Sequence, residues 1–168
     1  MATFKQKLEA RWATSKFLCL GLDPDLDKMP TYLQGYETEK MVLRFLKETI
    51  DATADLVAAF KLNISFFKEF GQTGVGIYHE ICQYIRKHHR QVLLISDFDV
   101  GSAKLFFDTR GFDSIMVHND QGREVVRSFL DRADKGVFVL CRTSDGGIQN
   151  RMVLVSEAEA EMFNLPPA

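Results

Sequence analysis

A chain of 168 residues with a formal net charge of −2 is long enough to bury a core as one domain. It lacks the basic excess that would draw nucleic acid or an anionic membrane, and no apolar run is long enough to span a bilayer. The three cysteines, Cys19, Cys82 and Cys141, are odd in number, widely spaced and set among apolar residues. That pattern fits buried, reduced thiols of a cytoplasmic protein better than a disulfide framework or a metal site.

The first eleven residues, Met-Ala-Thr-Phe-Lys-Gln-Lys-Leu-Glu-Ala-Arg, read as an amphipathic helix rather than a signal peptide. A strand is then predicted at 16–22, where Phe17 to Leu22 has almost no polar alternation, the pattern of a strand buried on both faces of a parallel sheet. Asp23 is delivered at its carboxyl end and Pro24 stops it. Residues 37–54 carry Met41, Val42, Phe45, Ile50 and Ala54 on one side and predict a helix. Further strands are predicted at 56–62, 91–96, 113–118 and 136–142. The intervening helices fall at about 76–88, 101–107 and 123–133, the last with Val125, Val126, Phe129 and Leu130 as its apolar face. After Thr143 the pattern weakens: Ser144-Asp145-Gly146-Gly147 is a turn, 152–155 a short strand and 156–163 a short helix capped by Ser156.

This order predicts a parallel α/β sheet. Five strands are too few for a closed eight-stranded barrel of about 250 residues, so the expectation is a partial TIM-barrel-like sheet, about five βα units, with open edges that a second copy or residues 148–165 must cover. One domain is expected over 1–168.

Every predicted strand delivers polar residues at its carboxyl end: Asp23; Lys61 and Asn63; Ser96, Asp97 and Asp99; His118, Asn119 and Asp120; Arg142, Thr143 and Ser144. In α/β proteins that edge binds ligands. A lysine gathered there among several aspartates is costly unless paired, and such a network is either structural or the centre of a site. His88-His89-Arg90 reads as a basic helix end favoured by the macrodipole. His118 is either a hydrogen-bonded strand-end histidine or an acid–base residue of a reworked site.

Three long motifs carry a family resemblance: Phe-Leu-Cys-Leu-Gly-Leu-Asp-Pro-Asp at 17–25, Ala-Phe-Lys-Leu-Asn-Ile-Ser-Phe-Phe-Lys-Glu-Phe-Gly at 59–71, and Phe-Leu-Asp-Arg-Ala-Asp-Lys-Gly-Val-Phe-Val-Leu-Cys-Arg-Thr-Ser at 129–144. With these the chain resembles the orotidine 5′-monophosphate (OMP) decarboxylase family in its longer bacterial form, over most of residues 4–145. Residues 146–168 form a divergent tail. The resemblance implies removal of CO₂ from OMP without any cofactor, in pyrimidine biosynthesis, by a Lys-Asp-Lys-Asp array whose central Lys delivers the proton.

By resemblance, Lys61 matches the first Lys of the array and Asp99 the last Asp, while Asp23 matches the ribose-binding acid and Ser144 the serine beside the pyrimidine. Asn63 and Thr143 complete the expected substrate-binding set. With Asp99-Val100-Gly101 fixed on the family's Asp-Ile-Gly, Leu94 occupies the array's first Asp position, Ser96 the proton-donating Lys and Ala103 a Thr. Sliding Asp97 into the first Asp position puts Asp99 on the Lys position instead. A neutral serine supplies no full positive charge beside a developing carbanion, and loss of a general acid costs ~10²–10⁴ in rate. Nothing after residue 145 resembles the family's phosphate-holding loops. The expectation is a shortened, catalytically degenerate member, acting as a binding or interaction protein with weak affinity for OMP or UMP and forming a homodimer. The alternative is a working OMP decarboxylase, weak or partner-assisted, or a repurposed lyase.

Overall fold

The computed structural model describes residues 2–97, 101–118 and 123–140. Five short apolar runs become β1 (Leu18–Gly21), β2 (Val57–Asn63), β3 (Leu93–Asp97), β4 (Ser114–His118) and β5 (Gly136–Leu140). They lie side by side in chain order, each neighbouring pair parallel. This is the strand order of a barrel wall; a doubly wound sheet reverses its order at a switch point. The partial TIM-barrel-like sheet expected from the sequence is therefore present. The strand and helix predicted at 152–155 and 156–163 lie outside the described residues.

The helices are α1 (Phe4–Trp12), α2 (Thr38–Thr53), α3 (Ile64–Lys68), α4 (Gly71–His88) and α5 (Arg123–Leu130), with a π-helical segment at Lys104–Thr109. Two 3₁₀ turns, Leu26–Lys28 and Thr31–Leu33, follow β1. One side of the sheet packs on the helices: Phe60, Leu62, Leu94, Ile115 and Val117 share a core with Val42, Leu46 and Ile50 of α2 and Ile77, Ile81 and Ile85 of α4. Each such fully buried side chain contributes roughly 1.5–3 kcal/mol.

The other, inner side is covered at its amino-terminal end by α1, where Ala59, Leu93 and Ile95 meet Phe4 and Leu8. The Phe4 ring packs edge-on to Phe138, centroids 6.0 Å apart. A Cβ on Gly136 would stand 2.8 Å from that ring, so the glycine makes room for the helix. Arg11 ties the far end of α1 by donating to the Ala54 and Val57 carbonyls. Beneath β3, the buried Asp113 carboxylate accepts from Lys7 Nζ, Arg86 Nη2 and the Leu94 amide, each at 2.9 Å.

Several expectations need correction. The strand at 16–22 is not buried on both faces: among the described residues β1 is an edge strand, paired only with β2, and Phe17 and Leu18 are 67% and 66% exposed. Cys19 shares that exposure, whereas Cys82 is buried in the helix layer. The helix expected from about Gly76 begins at Gly71, where φ is +63°, and a separate short helix precedes it. Glycines at 71, 74 and 76 hide the helical pattern. Gly74 is required by close packing, since a Cβ there would sit 1.7 Å from the Phe67 carbonyl oxygen. The helix expected at 101–107 is shifted to 104–109. On α5 only Val126 and Phe129 of the predicted apolar face are buried; Val125 and Leu130 are exposed. His89 is more than a charged helix end, because its Nε2 pairs with Asp51 on α2 at 2.8 Å.

Candidate functional site

The pleat decides which strand residues reach the inner face. On β2, Phe60 and Leu62 enter the helix-facing core, so Ala59 and Lys61 point inward. On β3, Leu94 joins the helix-facing core while Leu93 and Ile95 lie inward; Asp97 follows that inward parity. The register sets Gly21, Lys61 and Ile95 level with one another, and Asn63 level with Asp97. Lys61 reaches forward one row, donating from Nζ to an Asp97 carboxylate oxygen. Asp23 enters from the end of β1 with its nearer oxygen 4.0 Å from the same Nζ.

These three side chains form an acid–base–acid cluster at the carboxyl ends of the first three strands. Their side-chain exposures are 28% for Asp23, 26% for Lys61 and 16% for Asp97, so water screens the ion pairs less than it screens surface pairs. Burial pushes the Asp23 carboxyl above its ordinary value, Lys61 and the Asn63 amide pull it back, and Asp97 pushes it further up. Asp23 Oδ1 is buried without a hydrogen-bond partner among the described residues. Gly21 lies beneath this acid, where a Cβ would come 2.8 Å from the Asp23 carboxylate. Chemically, the cluster offers a cation flanked by two acceptors, a set suited to hydroxyl groups and to charge on a polar ring.

Of the residues expected in the site, Asp23 and Lys61 are brought together. Asn63 stands at the same strand end, but its side-chain oxygen caps α3 by accepting from the Ser65 amide at 2.9 Å. Asp99, Thr143 and Ser144 lie outside the described residues. The register that placed Leu94 and Ser96 in the array does not match the pleat. Leu94 is buried in the helix-facing core, and Ser96 is fully buried on that same parity, its Oγ unpartnered among the described residues. Ala103 packs against the main core just before the π-helical segment. Asp97, not Leu94, meets Lys61. The alternation 93–95–97 was the available signal, but both parities of this strand are apolar before Asp97, so the sequence alone does not say which one faces inward.

A shallow groove on α2, lined by Lys40, Leu43, Arg44, Lys47, Glu48 and Asp51, contains none of these residues. Its charged side chains are partnered: Lys40 with Glu37, Arg44 with Glu48, Lys47 with Glu80, and Asp51 with His89. It reads as a solvated helix face. Among the described residues no cluster of three or more His, Cys, Asp or Glu side chains is arranged to hold a metal ion, and no helix is long and apolar enough to cross a membrane.

No family profile matches the chain, but individual proteins do. It is 39% identical over 154 residues to the orotidine 5′-phosphate decarboxylase of Janthinobacterium sp. (strain Marseille), covering 86% of this chain and 55% of that protein. It is 38% identical over 151 residues to the enzyme of the same name from Thermomicrobium roseum, covering 86% of this chain and 53% of that protein. Among solved structures, it resembles Leishmania donovani UMP synthase with a TM-score of 0.70 at 27% identity, over 88% of this chain and 32% of that one. The OMP decarboxylase of Leishmania donovani matches with a TM-score of 0.68 at 27% identity, over 86% of this chain and 56% of that one. The chain thus spans about half the length of the curated relatives it matches.

Proposed function

We propose that the chain is a shortened member of the orotidine 5′-phosphate decarboxylase family, on its likeness to those relatives, that its inner-face cluster binds a pyrimidine ribonucleotide, OMP or UMP, and that decarboxylation on it is slow. Asp23 and Lys61 hold the ribose hydroxyls, and Asp97 takes the position of the array's first acid. The carrying observation is the Asp23–Lys61–Asp97 cluster at the carboxyl ends of β1–β3.

Slow chemistry follows from charge. Breaking the bond to CO₂ leaves an electron pair on a ring carbon that resonance spreads poorly, so the rate depends on a fixed cation and a proton beside it. Residues 91–103 contain no lysine, and Lys61 is already committed to Asp97. The names of the relatives favour a second reading, a fully working decarboxylase. Calorimetric titration with UMP, alongside OMP turnover, separates the two. Binding that Lys61→Ala abolishes, with turnover far below that of a full-length relative, supports the proposal. Turnover at the relative's rate supports the second reading, and no binding at millimolar UMP removes both.

The same reading includes self-association. The exposed edge of β1, with Phe17 and Leu18 open to solvent, offers strand groups that are unpaired among the described residues, of the kind that recruit another chain. Sedimentation is expected to show a dimer, and a monodisperse monomer refutes it.

A further inference from the structure

His118 is a chemistry-bearing residue of the inner face that the cluster does not use. On β4, Ile115 and Val117 are buried in the helix-facing core, so Ser114, Met116 and His118 take the inward parity of Lys61 and Asp97. Ile95 is level with Ser114, which sets Asp97 level with Met116 and His118 one row further toward the carboxyl ends. A strand spacing of about 4.8 Å and a rise of about 3.3 Å per residue separate the Asp97 and His118 Cα atoms by roughly 8 Å. A planar ring lying over Asp97 and Lys61 therefore lies within reach of the imidazole. His118 is half-buried.

We propose that His118 is the proton donor to the pyrimidine carbon that loses CO₂, sustaining the slow turnover that remains where the third strand carries no lysine. The inference rests on the reading of the inner face as a nucleotide site. In the step, the bond between the ring carbon and its carboxylate breaks, the electron pair stays on the ring carbon, and CO₂ leaves. The imidazolium N–H gives its proton to that carbon, forming the C–H bond of UMP, and the neutral imidazole takes a proton back from water. Before transfer, the imidazolium also places a positive charge beside the developing carbanion.

The test compares wild type with His118→Asn, which keeps a hydrogen-bonding side chain at the strand end but cannot deliver the proton. OMP turnover is measured under saturating substrate, and UMP affinity is measured in parallel. The expected result is a kcat lowered by ~10²-fold or more with UMP affinity unchanged within about twofold. An unchanged kcat in His118→Asn overturns the inference. So does a wild type that binds UMP yet turns over no OMP above the uncatalysed rate. A wild type that binds no UMP at all overturns the reading of the site itself, and the inference with it.

Discussion

Lys61 and Asp97 are not ladder neighbours: Lys61 lies level with Ile95, and its ammonium reaches one row forward to the Asp97 carboxylate. The pair joins two central strands at the end where the parallel sheet opens. Lys61→Met leaves the Asp97 carboxylate without its cation, whereas Asp97→Asn leaves Lys61 with Asp23 alone, 4.0 Å away. A cycle of Lys61→Met and Asp97→Asn, followed by urea unfolding, is expected to give a coupling of about 1–2 kcal/mol. A coupling of zero shows that the two side chains are independently solvated.

Much of this arrangement was legible in the sequence, for physical reasons. Apolar runs ending in polar residues mark buried parallel strands and the edge where they open, so Asp23 and Lys61 could be assigned to one rim. The facing of β3 could not be read. Leu93 to Ile95 are apolar on both parities, and the motif register pinned on Asp99 chose Leu94 and Ser96, which the pleat turns toward the helices. The exposure of Phe17 and Leu18 was hidden for a related reason: an apolar run reports what a strand is suited to, not whether a neighbour stands on its far side. Glycines at 71, 74 and 76 masked the start of α4, because low helix propensity is overridden there by packing on Phe67. The Asp113 junction had no local signal, since its partners lie 19 to 106 residues away.

That junction makes the strongest stability prediction. Asp113 is 7% exposed and accepts from Lys7, Arg86 and the Leu94 amide. Asp113→Ala strands two cations and a buried N–H, and is expected to cost about 3–5 kcal/mol. Lys7→Met, which leaves Arg86 in place, is expected to cost less. Equal and small losses in denaturant titration would rule out the junction as a support for α1.

Gly74 tests the α3–α4 contact. In an ordinary helix interior Gly→Ala stabilises, but here the new methyl meets the Phe67 carbonyl oxygen at 1.7 Å. Gly74→Ala is expected to lower stability by roughly 1–3 kcal/mol. Gly76→Ala, with nothing within 4 Å of its Cβ, serves as the control and is expected to be neutral or stabilising.

Alkaline pH bears on Cys82. Burial pushes its thiol from 9.0 up to about 12. The unfolded chain therefore loses this proton first, and the folded state is disfavoured between those values. The thiol's contribution is intact below pH 9 and falls by on the order of 1 kcal/mol per pH unit as pH rises toward 12. Cys82→Ala is expected to show a shallower decline of unfolding free energy across that window. Parallel curves for the two proteins contradict the burial of this thiol.

The central claim is that the inner face over β1–β3 holds the pyrimidine nucleotide. Its most direct test is an amide chemical-shift map recorded as UMP is titrated into uniformly labelled protein. The account predicts that the largest shifts fall at Gly21–Asp23, Lys61–Asn63 and Asp97, with α2 residues Lys40 to Asp51 unmoved, and that Lys61→Ala erases them. Shifts confined to α2, or a map that Lys61→Ala leaves unchanged, contradict it.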